Sequence, residues 1–209
     1  MRGRRISSRN CYSTELTFTG RAAEAISEVK QAQSIDPLSS IALEIGAEVY
    51  YFARNYDEAI RQNQKAIEMD PSNPNIYSDL GDAYLEKQMC SEAINAQVRT
   101  EELSGHAGNA AAMRNLKGGD CLALMRKQLE FYSDPSNPSY YPMSAGIASA
   151  MLGERDQAFK FIEMAYKTRQ GIIWLKVEPQ LDNIRSDPRY FEMLKRIGLA
   201  DDGATASLR

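Results

Sequence analysis

The residues with chemistry to offer are one histidine, three cysteines and several carboxylates. His106 lies in Ser104-Gly105-His106-Ala107-Gly108, a turn, and no second histidine exists to share a metal with it. A Cys-His nucleophile pair with Cys90 or Cys121 has no supporting motif. Cys11, Cys90 and Cys121 are odd in number and lack metal-type spacing, which predicts reduced thiols in a cytosolic protein. Gly105 to Gly108 and Gly118-Gly119 follow helical stretches. A phosphate loop instead follows a strand and opens a helix. Asp57-Glu58 and Glu101-Glu102 are adjacent in sequence, so they point to different sides of a helix and read as solvated surface. Asp156 reads as a helix-start residue. No catalytic residue, metal ligand or cofactor site is expected, and the chain is not expected to be an enzyme.

The pattern that positions these residues is a repeat. Pro37 and Pro71 are 34 residues apart, each preceded by Asp. Ala25, Ala59 and Ala93 keep the same step, as do Ala32 and Ala66, and Tyr50 and Tyr84. Antiparallel helices approach closely only through small side chains. Gly81 is expected against Ala93, and Ala47 against Ala59, with Tyr50 and Tyr84 filling the wider space beside them. Pro37 and Pro71 stop the second helix of a hairpin, because proline disfavours the helical conformation in the residue before it. A fixed period of this kind resembles the tetratricopeptide repeat, a helix–turn–helix unit that stacks into a solenoid. The resemblance covers residues 20 to 103 and implies an all-α, right-handed superhelix of about five hairpins with a C-terminal helical cap.

The chain has 209 residues and a formal net charge of −3. It carries no strongly basic domain, no apolar run long enough for a membrane span and no secretory signal. Neither a nucleic-acid nor a membrane partner is expected. Residues 1–19 read as a ragged helix or the end of a fragment, because Thr14, Thr17, Phe18 and Thr19 favour strands as much as helices. The array runs over 20–172. Its fourth hairpin, 104–138, is irregular, and Ser133 to Ser139 is the expected point of flexure. Residues 173–199 form the cap, with Trp174, Leu175 and Val177 buried on the fifth hairpin. A disordered tail is expected over 200–209.

The C-terminal half carries a second resemblance. Leu152-Gly153-Glu154, Ala158-Phe159, Ala165-Tyr166, Leu175-Lys176-Val177, Pro179 and Arg185-Ser186-Asp187-Pro188-Arg189-Tyr190 look like the helical region of multidomain bacterial signalling proteins. In those proteins it follows a winged-helix, serine/threonine kinase or nucleotide cyclase domain. The resemblance implies a cytoplasmic sensor or interaction tail, acting alone or separated from its effector.

In the repeat family the first helix of each hairpin lines the groove. The positions expected there are Ile41, Glu44, Glu48, Tyr51 and Phe52 in the second repeat. In the third they are Asn75, Ser78, Asp82, Leu85 and Glu86, and in the fifth Tyr140 and Met143. The family's clamp for a peptide carboxylate needs Lys, Asn and Arg at such places. Here Glu44, Glu48, Asp79 and Asp82 stand at or beside them. The expected partner is a protein or peptide segment of basic or amphipathic character, with Tyr51, Phe52 and Tyr140 as apolar anchors and the acids steering approach. The alternative is self-association through exposed terminal repeats, giving a homo-oligomer.

Overall fold

The computed structural model describes residues 2–116 and 119–200, with side chains from residue 9 onward. Gly118 and the tail beyond residue 200, for which disorder was expected, lie outside the described residues. Among the described residues there are eleven α-helices and no strand. In order they are α1 (Arg2–Phe18), α2 (Ala22–Ile35), α3 (Ser40–Phe52), α4 (Tyr56–Met69), α5 (Pro74–Glu86) and α6 (Cys90–Leu103). There follow α7 (Ala107–Arg114), α8 (Cys121–Ser133), α9 (Pro142–Met151), α10 (Arg155–Thr168) and α11 (Pro188–Arg196). Two 3-10 turns, Ile172–Trp174 and Pro179–Ile184, join α10 to α11. No helix among the described residues is long and apolar enough to cross a membrane.

Helix pairs α1–α2, α3–α4, α5–α6 and α9–α10 are the hairpins; the first three pack in succession, and α7 and α8 connect the third to the last, so the fold is an all-α repeat solenoid. The small residues at the repeat positions make the close approach possible: Ala25, Ala32, Ala47, Ala59, Ala66 and Ala93 are all fully buried. Local chemistry starts the helices. Ser39, Asn55, Asn73, Asp120 and Asp187 each accept a hydrogen bond from a backbone N–H of the first turn. Pro74, Pro142 and Pro188 stand in the first turn, where a missing N–H costs nothing. The turn inside each of the first three hairpins repeats too. Gly20, Arg54 and Gln88, spaced by the same period, all adopt positive φ, although only glycine does so freely.

The first helix departs from expectation. α1 is a full helix against α2, and Leu16, Ser13 and Thr17 are buried in that contact. Thr14 and Thr17 donate their hydroxyls to the carbonyls of Asn10 and Ser13, four residues back. That satisfies their polar groups within the helix. Gly81 likewise meets α6 through Gln97 rather than Ala93: an added Cβ would lie 2.8 Å from Gln97 Nε2.

The fourth unit is not a hairpin. α7 packs mainly on α6 and α8 mainly on α9, with little contact between α7 and α8. The link across this irregular stretch is covalent. Cys90 and Cys121, at the starts of α6 and α8, form a disulfide with Cα atoms 5.0 Å apart, and Cys11 is the free thiol. The expectation of three reduced thiols is thereby corrected. The two cysteines are 31 residues apart in sequence, and only the packing of α6 beside α8 brings them together.

Leu175, Leu181, Ile184, Tyr190 and Met193 cover the apolar face of α9 and α10, joining Ala158, Phe159, Ile162 and Ala165 in one core. The same segment also does something a cap need not do. It runs back to the second repeat: Trp174 stacks on Phe52 at 4.8 Å, and Arg54 pairs with Asp182 at 2.7 Å. Trp174 is therefore half-buried against α3 and meets Phe18 edge-on, instead of lying on the fifth hairpin.

Candidate functional site

The return of this segment encloses a cavity of about 250 Å³. α3 contributes Glu48, Tyr51 and Phe52; α5 contributes Asp79 and Asp82; α9 contributes Met143, Ser144 and Ile147. Tyr141 precedes α9, and Gly171, Trp174 and Glu178 come from the returning segment. A smaller lobe of about 60 Å³ shares Asp82, Ser144, Ile147 and Glu178, and adds Ser78, Gln97 and Gln180. Among the described residues, no lysine, arginine or histidine lines either space.

Four carboxyl groups thus face one enclosed volume, and their acidities respond. Burial, and then the neighbouring Glu44, pushes Glu48 up to about 7. Burial, and then Glu178 and Glu86, raises Asp82 to about 8. Asp79 is held well above the usual carboxylate range by burial and by Glu48. Glu178 is raised to about 7 by burial, against the pull of hydrogen bonds from Tyr51 and the Gln180 N–H. Desolvation and like charges both disfavour the ionised form, and here they act together.

The positions expected to line a groove divide into three groups. Glu48, Tyr51, Phe52, Asp82 and Met143 meet in the cavity, and Ser78 lies in its smaller lobe. Glu44 and Glu86 stand outside: Glu44 accepts from Asn73 Nδ2 at 3.0 Å, and Glu86 is half-buried beside Tyr56. Asn75 is exposed and apart from the cavity, Leu85 belongs to the core, and Ile41 is open to solvent. Tyr140 gives way to its neighbour Tyr141. Pro142 opens α9 and so makes Tyr141 the cap residue, which the cavity then includes.

Two of the expected anchors already have partners within the chain. The buried Tyr51 hydroxyl donates to Glu178 Oε1 at 2.8 Å, and Phe52 is covered by Trp174. The lining residues missed from the sequence include Ser144 and Ile147 of α9, Gln97 of α6, and Trp174, Glu178 and Gln180 of the returning segment. Trp174 is the sole tryptophan, and an apolar cluster is its only local signal.

A second carboxylate site lies on α6. Glu101, expected at the surface, is 3% exposed. It accepts from Asn109 Nδ2 at 3.1 Å and Ser139 Oγ at 2.8 Å, and pairs with His106 Nδ1 at 2.9 Å. Asn137 and Asn109 exchange further hydrogen bonds. This node pins the 133–139 turn cluster, which was expected to flex. It is not a nucleophilic relay: Ser139 Oγ and Glu101 both meet Nδ1 of His106, whereas a triad places nucleophile and carboxylate on opposite ring nitrogens.

Residues 47–88 match the family model described as TPR repeat. No curated protein matches the chain. Among solved structures the chain is similar to YrrB, "a TPR protein with an unusual peptide-binding site", at 16% identity and a TM-score of 0.45, over 80% of this chain and 89% of that one. It is also similar to a chain of Naa15/Naa10 bound to HypK-THB, at 15% identity and a TM-score of 0.39, over 92% of this chain but 29% of that one. The stretch carrying Tyr51, Phe52, Asp79 and Asp82 of the cavity is thus TPR-repeat sequence, set within an all-α solenoid.

Proposed function

We propose that the chain is a protein-interaction module that holds a basic or amphipathic segment of a partner on the face formed by α3, α5 and α9. The observation that carries this reading is the acid-lined, aromatic-walled cavity, to which no described residue adds a basic group. Binding is supported by what stands there: carboxyl groups beside aromatic rings. A regulatory or sensor role in a bacterial signalling system rests on the resemblance of the C-terminal half to such proteins. A cytoplasmic setting would make the Cys90–Cys121 bridge reversible, since cytosolic disulfides are transient.

The test uses fluorescence anisotropy with a labelled basic amphipathic peptide and its charge-reversed counterpart. The basic peptide should bind more weakly as salt rises, and the reversed one should not bind. Glu44→Lys with Glu48→Lys should weaken binding at least about tenfold, worth about 1.4 kcal/mol, and flatten the salt dependence. Equal binding of both peptides, or unchanged binding by the double variant, would overturn this reading.

A further inference from the structure

The cavity is too small to accommodate a helix. At about 250 Å³ it falls below the roughly 300–1,000 Å³ of pockets that enclose drug-sized ligands. It has room for one side chain. Its walls specify which kind. Glu48 and Asp79 make no hydrogen bond to any described residue, and Glu178 uses one oxygen for Tyr51 and the Gln180 N–H. Gln180 Nε2 is directed at Asp82 without reaching full hydrogen-bond geometry. Independently, Gln97, which is 1% exposed, has its Oε1 without any donor, and it lines the adjoining lobe. A buried acceptor without a donor is costly. Here that acceptor shares its lobe with Asp82 and Glu178, and carboxyl groups in their ionised form are acceptors only, so the volume is then rich in acceptors and short of donors. Tyr51, Phe52, Trp174 and Tyr141 supply the aromatic wall.

From this juxtaposition we propose that the cavity is a socket for one organic cation, a primary ammonium or guanidinium on a narrow aliphatic stem, with the charge among Glu48, Asp79, Asp82 and Glu178 and the stem against the aromatic wall. An ammonium carries three donors and a guanidinium five, which matches the surplus of acceptors. Aromatic faces attract the same groups. Among the described residues, two cations beside the returning segment are committed elsewhere: Arg54 is held by Asp182, and Arg185 by Asp182 and the carbonyls of Lys176 and Glu178. The proposal rests on the binding reading above and narrows it to a single anchoring residue. It also gives the returning segment a role, since Glu178 and Trp174 complete the socket.

Trp174, as the sole tryptophan, reports on the site directly. Its emission is followed while n-butylammonium, n-butylguanidinium or the neutral n-butanol is added. The two cations should give a saturable change and the alcohol none. Asp82→Asn with Glu178→Gln keeps shape and removes charge. Its fold is checked by circular dichroism, and Asp79→Asn serves as a second variant. Cation affinity should fall at least about tenfold in each folded variant. A response shared by butanol, the absence of saturation, or unchanged affinity in both variants would overturn the proposal.

Two further arms separate it from the groove reading. A basic peptide that keeps its affinity when each lysine or arginine in turn is replaced by norleucine, while its salt dependence persists, overturns the socket and leaves the groove. Small cations that bind while basic peptides do not uphold the socket and overturn the groove. Spermidine binding more tightly than any such peptide would assign the socket to free amines, and the reverse order to a side chain of a partner.

Discussion

Glu101 and Asp82 lie on neighbouring helices, α6 and α5, and both are carboxyl groups withdrawn from water, yet their surroundings are opposite. Glu101 is ringed by three residues from two segments: His106 and Asn109 at the start of α7, and Ser139 before α9. Asp82 looks onto Glu178 and Glu86 and has only Gln180 directed at it. Burial of a charge is tolerated where hydrogen bonds replace water and is costly where they do not. The first arrangement is complete and holds the irregular stretch of the fold together. The second is incomplete and is the part of the molecule that a ligand would satisfy.

The largest expected effect tests the completed site. Glu101→Ala would leave His106, Asn109 and Ser139 without their common acceptor, so it should cost about 3 kcal/mol, read by chemical denaturation. A loss well below about 1 kcal/mol would mean that the node is dispensable and that the contrast between the two sites is false.

The next effect tests the incomplete site through pH. Glu48 and Glu178 near 7, and Asp82 near 8, have folded values above their ordinary carboxylate range. The folded state therefore binds their protons more tightly than the unfolded state does. The stability this contributes is present in full below the unfolded values, near about 4, and is lost as pH rises through about 7 and 8. Asp182 and Asp187 act in the opposite sense. Burial pushes Asp182 up, but Arg54 and Arg185 more than offset it, and Arg189 holds Asp187 at about 2. Their contribution is lost only in strong acid. The melting temperature should therefore fall by several degrees between pH 5.5 and 8.5, where about 1 kcal/mol corresponds to roughly 2–4 °C in a chain of this size. Asp82→Asn should flatten that slope and raise the melting temperature at the alkaline end. A melting temperature that rises over this interval would show that the cavity carboxylates are not held protonated by the fold.

The smallest effect concerns the side-chain hydroxyl that donates within the second region. Tyr51→Phe removes the hydroxyl that reaches Glu178 and should cost about 1 kcal/mol, with a shift in Trp174 emission as the returning segment loosens. An unchanged spectrum and stability would make the contact incidental, and the stacking of Trp174 on Phe52 would then be what holds the segment.

Much of the array was legible from residue types. Asp-Pro at the end of the second helix, alanine at the crossing positions and Asn or Ser at the helix starts are local signals, and each acts within a turn or two of where it stands. The acids of α3 and α5 could be placed on one face for the same reason, since helical phase relates Glu44 to Glu48 and Asp79 to Asp82. Threonines in α1 misled because strand propensity ignores the hydrogen bonds they make to the preceding turn. Glu101 misled because a pair of adjacent acids looks solvated until its donors, up to 38 residues away, are brought to it.

The period of 34 residues, read from the sequence alone, determined that helices form, where most of them start and which faces pack, because those features depend on interactions between residues close in the chain. Only the tertiary structure decided that the segment after α10 turns back to the second repeat. Tyr51 and Glu178 are 127 residues apart, and no local preference relates them. Cys90 with Cys121, and Phe52 with Trp174, meet for the same reason, through the path of the chain. The cavity exists because of that return. Its acids are written in α3 and α5, but their enclosure, and with it their raised pKa values, comes from a distant segment closing over them.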